Sequence, residues 1–373
     1  MLNTIYVLLV AYIAVAPSPA IGFGGTRWRC PCHKSSSALH AWDDGYADAR
    51  HSTGNPTFMN RRDWIGQSAL VSTVFLGSNA FADDSISART VPKGKSVIIL
   101  GANGGTGREC VSAVLASGRS CYATARSGSF NYDEESGSSL LRKDNLRLFQ
   151  NQADVSSLAG LLALVDKINS STSVSVGAMI FAASASASGN NALDVDYQGV
   201  INAGKVCIEK NIPRLVVVSS GAVTRPNSAV YKLLNFVGNG IMKAKIDGEN
   251  EVRALYNNQK LIDQGVGYTI VRPGGLTNEA ATGPSFLEVN QGDDKSGRLS
   301  RADVAQICIG CLDVAGTFDT TFECYLKDTA KPVDNVGLSN ILRSTDPTSY
   351  RSGNEGNGET WSELLGGLKT DFA

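Results

Sequence analysis

The stretch that decides the fold reads Lys95-Ser-Val-Ile-Ile-Leu-Gly-Ala-Asn-Gly-Gly-Thr-Gly107. Its apolar, β-branched run over 97–100 predicts a short strand, and the pattern over 109–116 predicts a helix. A strand, a glycine-rich turn and a helix in that order form a site for a dinucleotide diphosphate, because the N–H groups of the first helical turn point at the anion. The candidate cofactor-binding residues of this loop are Gly101, Asn103, Gly104, Gly105, Thr106 and Gly107.

The three glycines at 101, 104 and 107 have separate tasks in such a loop. We expect Gly101 to permit the sharp turn after the strand and Gly104 to let the backbone approach the phosphates. We expect Gly107 to let the helix pack closely on the strand. The stretch therefore predicts a nucleotide-binding domain.

Composition excludes several classes of function. The 373 residues carry 34 Lys and Arg against 35 Asp and Glu, which gives no electrostatic reason to expect nucleic acid or an anionic membrane as a partner. The three histidines, His33, His40 and His51, all precede residue 60, so a mature domain that has lost its leader has none. Hydrolysis through a histidine base and the usual histidine-bearing zinc sites are therefore excluded, and no metal site is expected. Cys308 and Cys311 fall in an apolar helical pattern, which favours small core residues over a redox or metal pair.

Residues 1–82 are predicted to form a multipartite targeting leader. The apolar run over 5–16 has the length of a signal-peptide core, and small residues precede Phe23. Residues 24–60 lack apolar periodicity and indicate an unstructured transit segment. Arg61-Arg62, an apolar run and Ala80-Phe81-Ala82 together resemble a twin-arginine export signal, with a single anchor or a disordered tail as the alternative. No stable transmembrane span is expected in the mature form.

Residues 93–332 are predicted to form one nucleotide-binding domain, because apolar runs alternate with helical patterns throughout. We expect a single doubly wound α/β domain of the Rossmann type, with a mainly parallel sheet and the ligand at the carboxyl ends of its strands. The polar tail, 333–373, ends in a short helix over 360–368 that either docks on the domain or binds a partner. Strands are predicted over 97–100, 120–125, 146–150, 176–182, 214–219, 268–272 and 320–326; helices over 109–116, 158–168, 195–210, most of 240–264, and 301–312.

The end of the second strand favours NADP over NAD. An NAD site usually has an acid about twenty residues after the glycines to bind the ribose hydroxyls. Here the strand ends at Arg126, and no acid follows before Asp133. A guanidinium suits a 2′-phosphate, and Arg108 supplies a second positive charge directly after the third glycine. The fourth and fifth strands end in small residues that leave room for a cofactor: Ala182, Ala183 and Ser184, then Ser219 and Ser220.

These stretches resemble the atypical short-chain dehydrogenase/reductases, in their NmrA-like and plastid NAD(P)-binding branch. The resemblance covers residues 96 to about 328 and implies an NAD(P)-binding oxidoreductase. The sequence around the sixth strand is the most specific of the motifs that carry it. The motifs are the glycine loop, Asp194-Val-Asp-Tyr-Gln-Gly-Val200, Leu215-Val-Val-Val-Ser-Ser220, Tyr268-Thr-Ile-Val-Arg-Pro-Gly-Gly-Leu276, Gly297-Arg-Leu-Ser-Arg-Ala-Asp-Val-Ala305 and Trp361-Ser-Glu-Leu-Leu-Gly-Gly-Leu-Lys369.

The resemblance also implies site residues. Pro273, Gly274 and Gly275 would lie against the nicotinamide, and Asp154 would approach the adenine. Lys245 aligns with the family's catalytic lysine and would bond the nicotinamide ribose, with a solvated pair to Glu249, worth about 0.3 kcal/mol, as the alternative. Either Ser219 or Ser220 would line the nicotinamide pocket. Lys245 and Ser220 are the candidate catalytic residues.

One departure from the family concerns the proton donor. Orthodox members carry a tyrosine four residues before the lysine, where this chain has Ile241. Hydride transfer would then suit acceptors that stabilise their own negative charge, such as flavins, quinones, enones or tetrapyrroles. The alternative is a non-catalytic NADP(H)-binding redox sensor or an assembly factor whose partner is a photosynthetic protein. The leader resembles those of algae with secondary plastids, so we expect a plastid location, with stroma and thylakoid lumen both open.

Overall fold

A computed structural model describes residues 89–132, 139–185, 191–333 and 352–372. The predicted leader and part of the polar tail lie outside these residues. The described strands are β1 (Ser96–Leu100), β2 (Cys121–Ala125), β3 (Leu148–Gln152), β4 (Val176–Phe181), β5 (Arg214–Val218), β6 (Gly267–Pro273), β7 (Gly275–Thr277), β8 (Leu287–Asn290), β9 (Lys295–Ser296), β10 (Arg298–Ser300), β11 (Thr320–Leu326) and β12 (Lys331–Pro332). The α-helices are α1 (Gly105–Ala116), α2 (Leu158–Ser171), α3 (Val200–Glu209), α4 (Ala229–Val237), α5 (Ile241–Tyr256), α6 (Gln259–Asp263), α7 (Arg301–Asp313) and α8 (Trp361–Gly366).

Eight of the described strands form one sheet in the order β3-β2-β1-β4-β5-β6-β11-β8. All neighbouring pairs in it are parallel except β11 and β8. The chain runs outward from β1 to β3, and then crosses back to β4 on the other side of β1. This arrangement confirms the predicted doubly wound α/β fold, and it opens a crevice at the carboxyl ends of β1 and β4, where ligands bind in such sheets.

Helices cover both faces of the sheet. Every residue of β1, β4, β5 and β6 is buried, which explains why their sequences contain apolar runs rather than an alternating pattern. On one face α1 and α7 pack side by side, and Cys308 and Cys311 are buried in that layer, as predicted for core residues. On the other face the core is built from α2, α3 and α5.

Several boundaries differ from those that the pattern predicts. The third strand begins at Leu148, because Leu146 is 90% exposed and lies in the preceding turn. The predicted helix over 195–210 opens with a π-helical turn, Leu193–Gly199, before α3. The helical segment over 240–264 is two helices, since α6 starts afresh where the side chain of Asn258 accepts a hydrogen bond from the N–H of Lys260.

The terminal segment packs on the edge of the sheet. Gly356 pairs with Val289 of the edge strand β8. Helix α8 begins with a capping box formed by Thr360 and Glu363, and Leu365 is fully buried against α7. The apolar face of this helix is therefore covered by the protein's own core.

None of the helices in the described parts of the chain combines the length and the apolar character needed to cross a bilayer.

Candidate cofactor and catalytic site

The glycine loop forms a cradle between β1 and α1. Gly101 has φ +84°, and a Cβ there would lie 2.6 Å from the Cα of Ala183, which follows β4. A Cβ on Gly107 would overlap the carbonyl oxygen of Gly101, so the helix packs on the turn only because this residue is glycine. Gly104 and Gly105 are exposed. The N-terminus of α1 has no side-chain cap and no acid in its first turn, so its N–H groups are placed for an anion.

Two residues tie the glycine loop to the loop after β2. The side chain of Asn103 donates to the carbonyl of Ser129 at 2.8 Å and accepts from the N–H of Asn131 at 2.9 Å. The Arg108 guanidinium donates to the carbonyl of Asn131 and lies 5.6 Å from the ring centroid of Phe130. The structure thus brings Arg108 to the loop that begins with Arg126.

In dinucleotide-binding folds of this kind, the residues that follow the second strand contact the ribose or the 2′-phosphate of the cofactor. Arg126 is exposed and directly follows β2, and the loop contains no acid over 126–132. Across the sheet edge, the Asp154 carboxylate accepts hydrogen bonds from both the N–H and the hydroxyl of Ser156, at 3.0 and 2.7 Å. Asp154 therefore holds the turn before α2, and its approach to the adenine stays a prediction. Thr106 is half-buried in the first turn of α1.

The segment after β4 is held by a buried acid that the sequence analysis missed. Asp196, in the π-helical turn, accepts from the Ser184 hydroxyl and from the N–H of Ala185, both at 2.8 Å. Ala182 and Ala183 precede them and lie against the glycine loop. Asp196 itself is fully buried, and its bonds hold the segment after β4 beneath the crevice.

Lys245 is paired with this same acid. Its ammonium lies 2.7 Å from the Asp196 carboxylate, and its side chain is 12% exposed. The expected alternative, a solvated pair with Glu249, is wrong: the carboxylate of Glu249 instead bonds Arg272 at 2.6 Å and Arg253 at 2.9 Å. The reason is tertiary, because α5 presents Lys245 to the π-helical turn and Glu249 to β6.

Ser219 belongs to the second buried network. Its hydroxyl donates to Glu249 at 2.5 Å. Burial raises the pKa of Glu249, but the charges and hydrogen bonds of Arg272 and Arg253 outweigh it and hold the pKa below its ordinary value. The Ser220 hydroxyl donates to the carbonyl of its neighbour Gly221 at 3.1 Å. Ser219 thus faces an ionised carboxylate, whereas Ser220 turns to the backbone.

A recess with room for about one water molecule lies between these groups at the carboxyl end of β5. The structure brings Lys245 and Ser219 together there, with Ser220 outside the lining. Its lining residues are Asp196, Val200, Val217, Val218, Ser219, Lys245 and Glu249.

The segment after β6 is fixed by close backbone packing. A Cβ on Gly274 would overlap the carbonyl oxygen of Gly297, and the N–H of Gly275 donates to that same oxygen at 2.8 Å. The carbonyl of Pro273 accepts from the N–H of Gly221 at 2.9 Å. Pro273, Gly274 and Gly275 therefore lie beside the loop after β5, and Gly275 is exposed.

A further arginine reaches the glycine loop and was not predicted. A Cβ on Gly105 would lie 2.9 Å from Nε of Arg301, the first residue of α7. The sequence signal was present in part, since Ser300 and Asp303 mark a helix start. Nothing in the sequence shows that this start meets α1.

The described residues contain no group of His, Cys, Asp and Glu side chains that could hold a metal ion. What they do contain fits a dinucleotide: a cradle kept open by glycine, an uncapped helix N-terminus and arginines beside it. A cradle of this kind at the switch point of a doubly wound parallel sheet defines an NAD(P)-binding Rossmann protein.

Comparison with known sequences gives the family. The family model for NAD(P)H-binding proteins matches residues 101–314, more than half of the chain. An uncharacterised chloroplastic protein of Arabidopsis thaliana is 28% identical over 235 residues, which cover 60% of this chain and 74% of that protein. Sanguinarine reductase of Eschscholzia californica is 32% identical over 136 residues, which cover 35% of this chain and 44% of that enzyme. The chain belongs to the NAD(P)H-binding oxidoreductase family, in its NmrA-like, atypical short-chain dehydrogenase/reductase type.

Solved structures similar to this fold include an oxidoreductase from Lactococcus lactis, with 16% identity, a TM-score of 0.48 and coverage of 69% of this chain and 99% of that one. Another is a short-chain dehydrogenase/reductase from Veillonella parvula in complex with NADP, with 15% identity and a TM-score of 0.43. It covers 62% of this chain and 94% of the other.

Proposed function

We propose that the protein is a plastid NADPH-dependent oxidoreductase that passes hydride to a conjugated or aromatic acceptor. The observation that carries this proposal is the pairing of the polar side chains at the recess. Lys245 is bound to Asp196 and Ser219 to Glu249, so neither is arranged like the phenol that protonates a developing alkoxide in orthodox members. Flavins, quinones, enones and tetrapyrroles need no such donor, because conjugation spreads the charge that the hydride brings.

The residues of the chain have distinct tasks in this proposal. The loop from Gly101 to Gly107 and the first turn of α1 hold the diphosphate. Arg108 and Arg126, which both belong to or contact the loop after β2, bind the 2′-phosphate and so select NADPH. NADPH supplies the hydride. Lys245 and Ser219 keep the recess polar and ordered, and water that enters the recess supplies the proton.

The relatives support both halves of the proposal. Sanguinarine reductase is by its name a reductase, and it is 32% identical to this chain over 136 residues. The Arabidopsis thaliana relative is named as chloroplastic, which agrees with the plastid location expected from the leader. An alga with secondary plastids is the source that the leader favours, and either stroma or thylakoid lumen is the compartment.

A second candidate function is favoured by the same pairing. Because the ammonium of Lys245 is neutralised by a fully buried carboxylate, the protein could hold NADP(H) without using it. It would then act as a redox sensor or as an assembly factor for a photosynthetic complex.

One experiment separates the two functions. The full chain is titrated with NADPH, and oxidation of NADPH is followed with a panel of flavins, quinones and enones. Gly105→Asp serves as the binding-deficient control, because its carboxylate repels the diphosphate and its Cβ displaces the side chain of Arg301, while an acid in the first helical turn does not destabilise α1.

The enzyme function predicts acceptor-dependent NADPH oxidation by the wild type and none by Gly105→Asp. Tight NADPH binding with no oxidation of any acceptor would contradict it and leave the sensor. No NADPH binding by the wild type would contradict both.

A further inference from the structure

The side chain of Arg301 lies beside the glycine loop, a position that the start of α7 does not by itself require. It is the first residue of α7, yet its side chain runs across to the first residue of α1. A Cβ on Gly105 would lie 2.9 Å from Nε and 3.0 Å from Cδ of Arg301. Any other residue at 105 would push the guanidinium away, so the glycine keeps room for this cation.

The guanidinium is held by neutral groups. One terminal nitrogen donates to the side-chain oxygen of Asn278 at 2.5 Å and to the carbonyl of Thr277 at 3.2 Å. Within the described residues it forms no ion pair with a carboxylate. Asp303, the nearest acid on α7, is committed instead to Ser300 and to the N–H of Thr282.

The charge is therefore placed where the protein itself disfavours it. A cation beside a helix N-terminus is repelled by the helix dipole, and here two such ends meet, those of α1 and α7. The first turn of α1 adds Arg108 and no acid. An anion between them would turn this repulsion into attraction, and the diphosphate of the dinucleotide is the anion that a glycine loop receives.

We propose that Arg301 binds the cofactor diphosphate and that Asn278 holds its guanidinium in place for this. This inference rests on the proposed use of NADP(H). It also gives the residue a second effect, because Thr277 ends β7, the strand that starts at Gly275. Arg301 thereby couples the diphosphate to the segment predicted to lie against the nicotinamide.

The test compares two ligands on the full chain. NADPH carries both the diphosphate and the 2′-phosphate, whereas 2′-AMP carries only the latter. We expect Arg301→Gln to raise the Kd for NADPH about 10- to 100-fold, the effect of a lost hydrogen bond to a charged group. Arg301→Lys should recover part of this loss, since it keeps the charge without the fork. Affinity for 2′-AMP should not change.

The control variants separate binding from structure. Arg142→Gln removes an arginine that is half-exposed and paired with Asp144, and it should alter neither affinity. Arg126→Ala should weaken both ligands. Without cofactor, Arg301→Gln should leave the thermal midpoint unchanged or slightly raised, because it removes an uncompensated cation.

Three results would overturn the inference: unchanged NADPH affinity in Arg301→Gln, equal loss of NADPH and 2′-AMP, or a lowered midpoint without cofactor. They differ from failure of the proposed function. That failure appears in the wild type, as absence of NADPH binding or of acceptor reduction.

Discussion

The two ends of the crevice treat charge in opposite ways. At the glycine loop, the helix N-termini of α1 and α7 meet beside Arg301, and no acid lies in the first turn of α1. At the recess near β5, the charged groups are matched inside the protein, with Lys245 on Asp196 and Glu249 on two arginines. Both ends are polar, but only the first has positive charge that an external anion would complete.

This difference separates binding from proton chemistry. A cation such as Arg301, which forms no ion pair within the described residues, gains free energy when an anionic cofactor arrives. Where the charged side chains are buried and paired with one another, a side chain can gain or lose a proton only if its ion pair is broken. The molecule is therefore better arranged to hold a dinucleotide than to donate a proton, and this is why acceptors that need no protein acid fit it.

The largest expected effect comes from the backbone of the binding end. Gly107→Ala places a methyl group on the carbonyl oxygen of Gly101, and both atoms are fixed in the turn. We expect a loss of about 3 kcal/mol or more in the free energy of unfolding and no measurable NADPH binding. Chemical denaturation measures the first, and a fluorescence titration the second.

Gly366→Ala is the matched control, because a Cβ there meets nothing within 4 Å and the residue ends α8. It should change stability by less than about 1 kcal/mol. Similar stabilities for the two variants would show that the tight turn is not what shapes the cradle.

The next effect tests whether Lys245 and Asp196 form a buried ion pair that stabilises the protein. Asp196→Asn leaves Lys245 without its carboxylate in a largely buried place. We expect a loss of about 3 kcal/mol in stability, as when one partner of a buried pair is removed. Lys243→Met is the control: its ammonium pairs with Asp247 in the same helix but is exposed, so little or no loss of stability is expected. Equal losses would mean that the Asp196 pair is an ordinary surface contact.

A smaller effect concerns the choice of cofactor at the binding end. Arg126→Ala removes the guanidinium that follows β2, so NADPH should bind roughly tenfold more weakly or worse, while NADH binding stays the same. The unfolding free energy should not change, because Arg126 is exposed. An equal loss for both cofactors would place Arg126 away from the 2′-phosphate.

The sequence predicts those parts of the molecule whose interactions are local in the chain, and it predicts less where distant segments meet. Strands β1, β4, β5 and β6 are buried on both faces, so a local apolar run marks them. Strand β8 has four residues and is defined by its antiparallel pairing with β11, which no local pattern shows. The turn and the close packing of the glycine loop are predicted because both are local, whereas α1 begins at Gly105, four residues before the predicted start.

The recess end was predicted less well for the same reason. Lys245 was identified through the family resemblance, but its partner Asp196 lies in a π-helical turn elsewhere in the chain. Asp196 looks like one polar residue among several in the segment Asp194-Val-Asp-Tyr-Gln-Gly-Val200. The contact of Arg301 with the glycine loop was likewise not predicted, since it depends on the packing of α7 against α1. Residues that act through tertiary pairing leave no periodic trace.

The smallest effect tests how the buried ion pairs of Arg272, beside the recess, respond to pH. Glu323 is buried beneath Arg272 and bonds it at 3.2 Å. Burial raises the pKa of Glu323 from 4.5 to about 7; the charge of Arg272 opposes this, and that of Asp293 adds to it. Since the folded state then binds the proton more tightly than the unfolded state, stability contributed by protonated Glu323 is present below about pH 4.5 and is lost as the pH rises to about 7.

Glu323→Gln mimics the protonated side chain, so its stability relative to the wild type should improve as the pH rises through this window, by on the order of 1 kcal/mol. Denaturant titrations from acidic to neutral pH measure the difference, and Glu359→Gln, at an exposed position, serves as the control. Parallel pH curves for Glu323→Gln and the wild type would show that Glu323 stays ionised throughout. Arg272 would then lie between two ionised carboxylates, those of Glu249 and Glu323, and ion pairs alone would hold it in place.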